Sequence, residues 1–256
     1  MTRAADAVAN ALAETGRSAP ERFYRRVLEI FQQRDVPHLV GGAYALAHHT
    51  HVPYETRDFD VFLRRADVGR ACQSLEDAGY RAAVVYPHFL GKVRDGVHFV
   101  DLIFGSGNGI VPVDDRWFTR ASSGMTLGLP VRFCSAEDIL WSKAFIMERE
   151  RYDGGDVAHL LLATADRLDW AYLIERFDAQ WRVLLAHFVL FGFIYRADGR
   201  SFPPMWWARC SNACAASPSR PIATTSAEEA CCRDGSTCSI STSSACGMHD
   251  CSRTAQ

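Results

Sequence analysis

A charge excess of either sign is missing from this chain: 28 Lys and Arg stand against 30 Asp and Glu, a formal net charge of -2 at pH 7. That leaves no global electrostatic footprint for a nucleic-acid backbone or an anionic membrane surface. Long apolar runs are missing too. The most hydrophobic one, Val183 to Tyr195, contains His187 and is too short to cross a bilayer. It reads as a buried helix, and no membrane partner is expected. Met1 to Gly16 alternates Ala and Val with Asp, Asn and Glu, without the apolar stretch of a secretory leader, so a cytoplasmic location is the default expectation.

Cysteine is scarce through most of the chain. Cys72 and Cys134 stand alone before residue 210, while Cys210, Cys214, Cys231, Cys232, Cys238, Cys246 and Cys251 crowd the end. From Arg209 onward there is no Phe, Tyr, Trp, Leu or Val. Such a segment cannot bury enough apolar area to offset its ordering entropy, and it is expected to be disordered. Cys246, His249 and Cys251 lie close together, yet the thiols lack the paired Cys-x2-Cys spacing of structural zinc sites. The abrupt change to Arg, Ser, Cys, Ala, Pro and Thr is what a GC-rich gene yields when read out of frame after Tyr195. A helical, aromatic-bearing continuation in another frame would establish that origin.

The rest of the chain is patterned for a mixed sheet and helices. Phe23, Val27, Ile30 and Phe31 make one stripe of a helix over 20–34. A strand over 36–40 meets Gly41-Gly42, then a helix over 43–49. A strand over 57–63 follows, and a helix capped by Asp67 runs to Ala78, stopped by Gly79. Strands over 81–86, 89–94 and 97–104 come next, the last two joined by Asp95-Gly96. Short strands fit 125–127 and 130–133. Ser135-Ala136-Glu137-Asp138 opens a helix to Arg149, and helices over 157–165, 169–177 and 181–196 complete the pattern. The expected fold class is α+β (mixed α/β), a mixed sheet flanked by helices with a helical C-terminal lobe. The divisions are an N-terminal helical extension (1–19), a core (20–134), the helical lobe (135–207) and the tail (208–256).

Three carboxylates stand out in this frame. On a strand, Asp58 and Asp60 share one face while Phe59 and Val61 pack behind them. Two acids held that close repel each other unless a cation lies between them. The hard-cation answer is Mg²⁺ (or Mn²⁺), which takes one or two carboxylates and completes its shell with water and substrate phosphates. Asp101, in the run His98-Phe99-Val100-Asp101-Leu102-Ile103, is costly to bury unless paired or metal-bound. If its strand lies beside the Asp58–Asp60 strand, the three acids can hold two divalent ions, with Asp101 a ligand on the nucleophile side and a proton acceptor. Gly41 and Gly42 let the backbone approach phosphates at the start of the following helix. His48, His49 and His51 read as helix-end residues rather than ligands. Gly105 to Gly109 lacks the helix start that a dinucleotide-binding loop needs.

Val40-Gly41-Gly42, Asp58-Phe59-Asp60 and Asp101 resemble the signature of the nucleotidyltransferase superfamily with the polymerase-beta-like fold. Lys143, Arg149, Arg151, Asp153 and Asp156 resemble the Lys, Arg and Asp region of AbiEii-like bacterial members. Where the family often has Ser in the second glycine position, this chain has Gly42. The resemblance spans residues 20–196. It implies metal-dependent transfer of a nucleotide from a nucleoside triphosphate, with Arg57 and Lys143 contacting nucleotide and Arg151, Asp153 and Asp156 shaping the site. Members modify antibiotics, tRNA ends or proteins, and toxin-type members pair with an antitoxin. A catalytically inactive member serving as a binding or regulatory protein is the alternative.

Overall fold

The computed structural model describes residues 18–195. The expected N-terminal extension up to residue 17, the end of the helical lobe from residue 196 and the whole tail (208–256), its cysteines included, lie outside the described residues.

Helix α1 (Ala19–Gln33) buries Phe23, Tyr24, Val27, Leu28, Ile30 and Phe31 along one stripe. The Ser18 backbone N–H donates to Glu21 Oε2 at 2.8 Å, closing its first turn. Strand β1 (Leu39–Val40) is buried on both faces and runs straight into α2 (Gly42–Thr50). Strand β2 (Asp60–Phe62) is followed by a 3-10 turn (Arg65–Asp67) and α3 (Val68–Glu76). Strands β3 (Arg81–Tyr86), β4 (Leu90–Asp95) and β5 (His98–Ile103) form a meander. Helix α4 (Asp115–Arg120) precedes the hairpin β6 (Ser122–Thr126) and β7 (Leu129–Phe133). Four helices end the described chain: α5 (Ala136–Ala144), α6 (Gly154–Thr164), α7 (Trp170–Phe177) and α8 (Trp181–Ile194).

The seven strands make one mixed sheet in the order β3-β4-β5-β2-β1-β7-β6. Only β2–β5 and β1–β7 are parallel; the other neighbours are antiparallel. The fold is thus a mixed α/β sheet flanked by helices. Its centre is dry: Leu39, Val40, Phe59, Val61, Leu63, Val100 and Leu102 have no exposed surface.

Several elements depart from the sequence pattern. Strand β2 starts at Asp60, because pairing with β5 begins only where Asp101 N–H donates to Phe59 O at 2.9 Å; Asp58 lies on the extended entry to the strand. Asp67 makes no side-chain cap and instead pairs with Arg64 and Arg70. Helix α4, in a region with no predicted element, is started by Asp114, whose carboxylate accepts from Arg116 N–H at 3.0 Å. Helix α5 stops at Ala144 rather than Arg149, although the residues beyond favour helix. There the chain folds back, Met147 bridging Tyr152, and returns Arg151 and Asp153 toward Lys143; ion pairing overrides propensity.

The apolar C-terminal helix is not wholly buried as expected. Helix α8 buries Leu184, His187, Phe188 and Phe191, with His187 Nε2 2.9 Å from Ala144 O, while Val189, Leu190, Phe193 and Ile194 are exposed. By length and composition the run Trp170–Ile194 could cross a membrane, yet a 3-10 turn at Asp178–Gln180 interrupts it.

Candidate active site

The sheet register assembles the centre of the site. Asp60 lies directly opposite Asp101 across the parallel β2–β5 pair, and Lys92 lies opposite Asp101 across β4–β5. Three adjacent strands thus carry a row reading Lys92, Asp101, Asp60. The Lys92 ammonium donates to Asp101 Oδ1 at 2.5 Å and sits 4.2 Å from the centre of the Phe99 ring. Asp58 is exposed at the mouth of this row, its backbone N–H held by Thr56 Oγ1 at 3.1 Å. Behind it, Phe59 is clamped between Tyr24, stacked at 4.9 Å, and Tyr44, edge-on at 4.8 Å.

The glycine pair makes room. Gly42 adopts φ +54, and a Cβ there would fall 1.8 Å from Asp60 Oδ2; a Cβ on Gly41 would fall within the Phe62 ring. Gly41 N–H also donates to Asp60 O at 2.9 Å. The sequence suggested glycines that admit phosphate; in the structure Gly42 makes room for the Asp60 carboxylate and Gly41 for the Phe62 ring. Substituting Gly42→Ala should therefore cost about 1–3 kcal/mol of stability through the left-handed backbone and the displaced carboxylate. Thermal unfolding and divalent-cation titration of the variant measure both consequences.

Burial, then the neighbouring Asp101 and Asp58 carboxylates, push the Asp60 pKa up to about 6, against the fields of Lys143 and Arg151. Asp101 is also raised by burial, opposed by its bond from Lys92. Lys143, buried on α5, donates to Asp153 Oδ2 at 2.8 Å and to Asp156 Oδ2 at 2.7 Å. Arg151 donates Nε and one terminal nitrogen to the same Asp153, at 3.0 and 3.1 Å. Although burial pushes the other way, these bonds hold the Asp153 carboxyl below its usual range. Lys143, Arg151, Asp153 and Asp156 thus form one ion network whose cations face the acids on the sheet.

Arg57 is exposed and lines a cavity of about 460 Å³ with Tyr24, Tyr44 and Tyr54. Its carbonyl accepts from the Tyr24 hydroxyl at 2.8 Å. The histidines behave as helix-end residues: His48 stacks on Phe133 at 4.2 Å, and His49 Nε2 lies 2.8 Å from Cys134 O. Sequence reasoning missed Lys92 and Tyr24. Lys92 meets Asp101 through a β4–β5 register that the Asp95-Gly96 signal alone does not give, and nothing in the sequence links Tyr24 to Arg57.

Among the described residues, no group of three His, Cys, Asp or Glu side chains is gathered closely enough to hold a metal ion. The donors at the centre nevertheless suit a hard divalent cation. They are carboxylate oxygens without thiol or imidazole, and the strain on Asp60 is of the sign a cation relieves.

No family model and no curated protein matches the sequence. Solved structures are similar in fold. The antibiotic-resistance factor ANT(2'')-Ia, in complex with adenylyl-2''-tobramycin, is 15% identical at a TM-score of 0.49, covering 64% of this chain and 99% of that one. Its solution structure gives 17% identity and 0.47, covering 68% and 97%. The lincosamide antibiotic adenylyltransferase LnuA, lincomycin-bound, is 18% identical at 0.41, covering 57% and 98%. At such distances, what this chain does is read from its own side chains.

Proposed function

We propose that this chain is a Mg²⁺- or Mn²⁺-dependent nucleotidyltransferase that moves a nucleoside monophosphate from a nucleoside triphosphate to an acceptor hydroxyl. The observation that carries this reading is the registered pair Asp60–Asp101, with Asp58 at its mouth and the cations Lys143 and Arg151 acting on it. Asp58 and Asp60 would hold the metal, which when bound would neutralise charge on the triphosphate.

The chain's own residues would do the rest. Asp101, fixed by Lys92, orients the acceptor hydroxyl and takes its proton as the new oxygen–phosphorus bond forms at the α-phosphorus. The bond from the α-phosphorus to the bridging oxygen breaks, and that oxygen leaves with pyrophosphate. Lys143 and Arg151 bring positive charge to the departing phosphates, and Arg57 with the tyrosine-lined cavity beside it receives the nucleotide or acceptor. The acceptor is a small molecule, a tRNA end or a protein. We infer an AbiEii-like, cytoplasmic enzyme from the resemblance of the Lys143 to Asp156 sequence region to such members, and an antitoxin partner belongs to the same reading.

Calorimetric titration with each of the four nucleoside triphosphates and Mg²⁺ tests this. The expected result is binding of one preferred base, lost when Mg²⁺ is withheld or when Asp58→Asn and Asp60→Asn are combined. A folded protein that binds none of the four would be a non-catalytic relative.

A further inference from the structure

Lys92 is the one cation of the charged row, and its placement is specific. It does not reach Asp101 from a mobile loop. It lies on the strand next to β5, opposite Asp101 in register, and its ammonium is seated over the Phe99 ring. Both side chains of the pair are about four-fifths buried, at 20% and 18% exposure. A pair so placed is formed by the sheet itself, and breaking it would leave a carboxylate and an ammonium in surroundings where neither is well hydrated.

This arrangement bears on how many ions the site can hold. Two-ion chemistry on three carboxylates needs the third acid free to ligate on the nucleophile side. Here that acid is already neutralised by a cation of the chain, 2.5 Å from one of its oxygens. Asp58 and Asp60 have no such direct partner among the hydrogen bonds of the site. Lys143, whose field reaches Asp60, is itself bonded to Asp153 and Asp156.

We propose that the Lys92 ammonium stands where a second divalent cation would otherwise bind, so that the site takes up a single divalent ion, on Asp58 and Asp60. This inference rests on the nucleotidyltransferase reading and deepens it. Lys92 is a positioning residue acting through Asp101: it keeps that carboxylate ionised and aimed, the task otherwise left to a metal. The acceptor side then depends on a fixed charge that chelators cannot remove.

Counting ions tests this independently of turnover. The chain is dialysed to equilibrium against Mn²⁺ with the α,β-methylene analogue of each nucleoside triphosphate, and the excess Mn²⁺ and nucleotide retained per chain are measured. The expected counts are one Mn²⁺ for the wild type, two for Lys92→Met, and one again for Lys92→Arg. Asp101→Asn should keep the single ion, because Asp101 does not hold it. This last variant and the wild-type count decide the matter should Lys92→Met fail to fold. Two ions on the wild type, one on a folded Lys92→Met, or loss of an ion from Asp101→Asn would overturn the proposal while leaving the nucleotidyltransferase reading intact. A folded wild type that retains neither Mn²⁺ nor nucleotide would overturn that reading and this inference with it.

Discussion

Substituting Asp60→Asn should lower turnover by about 10²–10³-fold or more while making the protein harder to unfold. The two effects have one cause. In the metal-free protein, burial and the neighbouring acids hold the Asp60 carboxyl at about 6, above its ordinary 3.8. Folded Asp60 then keeps a proton that the unfolded chain releases between those values, so the contribution of this one group is most favourable below about pH 4 and is lost as pH rises through about 6. Asparagine carries no charge and escapes this cost. With each pKa unit corresponding to about 1.4 kcal/mol, the gain at neutral pH is at most about 3 kcal/mol, or roughly 6–12 °C in Tm. Thermal unfolding of both proteins between pH 4 and 7, with and without Mg²⁺, should show the advantage of the variant over the wild type growing as pH rises, and Mg²⁺ closing that gap from the wild-type side. A difference in Tm that stays constant across this range would show that Asp60 is not under electrostatic strain.

The largest loss of stability is expected from Arg176→Met. Arg176 donates to both oxygens of Asp114, at 2.6 and 2.7 Å, and through Nε to the Tyr172 hydroxyl at 2.9 Å. Its guanidinium also lies 4.6 Å over Trp141. The Tyr172 hydroxyl in turn donates to Asp138 Oδ1 at 2.6 Å, and Asp138 is fully buried. Methionine preserves much of the volume and none of the charge, leaving two carboxylates short of their cation. Because the Asp114 side chain is 38% exposed, the expected cost falls below that of a fully buried pair, at about 2–3 kcal/mol and roughly 4–12 °C in Tm.

The pH dependence has a definite sign. Burial works against it, but Arg176 holds the Asp114 carboxyl below its usual range. That contribution is present above the unfolded pKa and lost as pH falls through the folded one. The difference between wild type and variant should therefore shrink below about pH 4. A loss under 1 kcal/mol at pH 7 by denaturant titration would mean that the network adds little.

Much of the candidate site was legible because its residues are forced by local chemistry. The glycine pair and the acids stand out by type and spacing, and an acid among Val100, Leu102 and Ile103 needs a cation, whether a metal or a basic side chain. The resemblance drawn from those residues supplied Lys143 and its partners. What stayed hidden depended on register. The sequence placed the turn of the β4–β5 hairpin at Asp95-Gly96, which would have set Leu90 opposite Asp101. Instead Asp95 pairs with His98, and Gly96, at φ +58, is the first of two turn residues. That is where a hairpin turn of this hand wants glycine. The shift brings Lys92 to Asp101, so one turn residue decides the electrostatics of the sheet face. Helix α4 was hidden for a different reason: six residues begun by an aspartate cap and anchored by buried Trp117 and Phe118 are too few to show a period.

The order of the charged groups along the chain has a consequence for synthesis. A nascent chain emerging from the ribosome presents Asp58, Asp60, Lys92 and Asp101 well before Lys143 and Arg151 exist. Strand β7, which must lie beside β1 to close the sheet, comes late as well. Until then the partly assembled sheet holds three acids and one cation, a balance that resists compaction. Lys92 lies between the strands carrying Asp58 and Asp101 in sequence, and so it is the counter-charge available when those strands first meet. The segment that completes the site brings Lys143 and Arg151 together with Asp153 and Asp156, so the last functional residues arrive as a network already paired within itself.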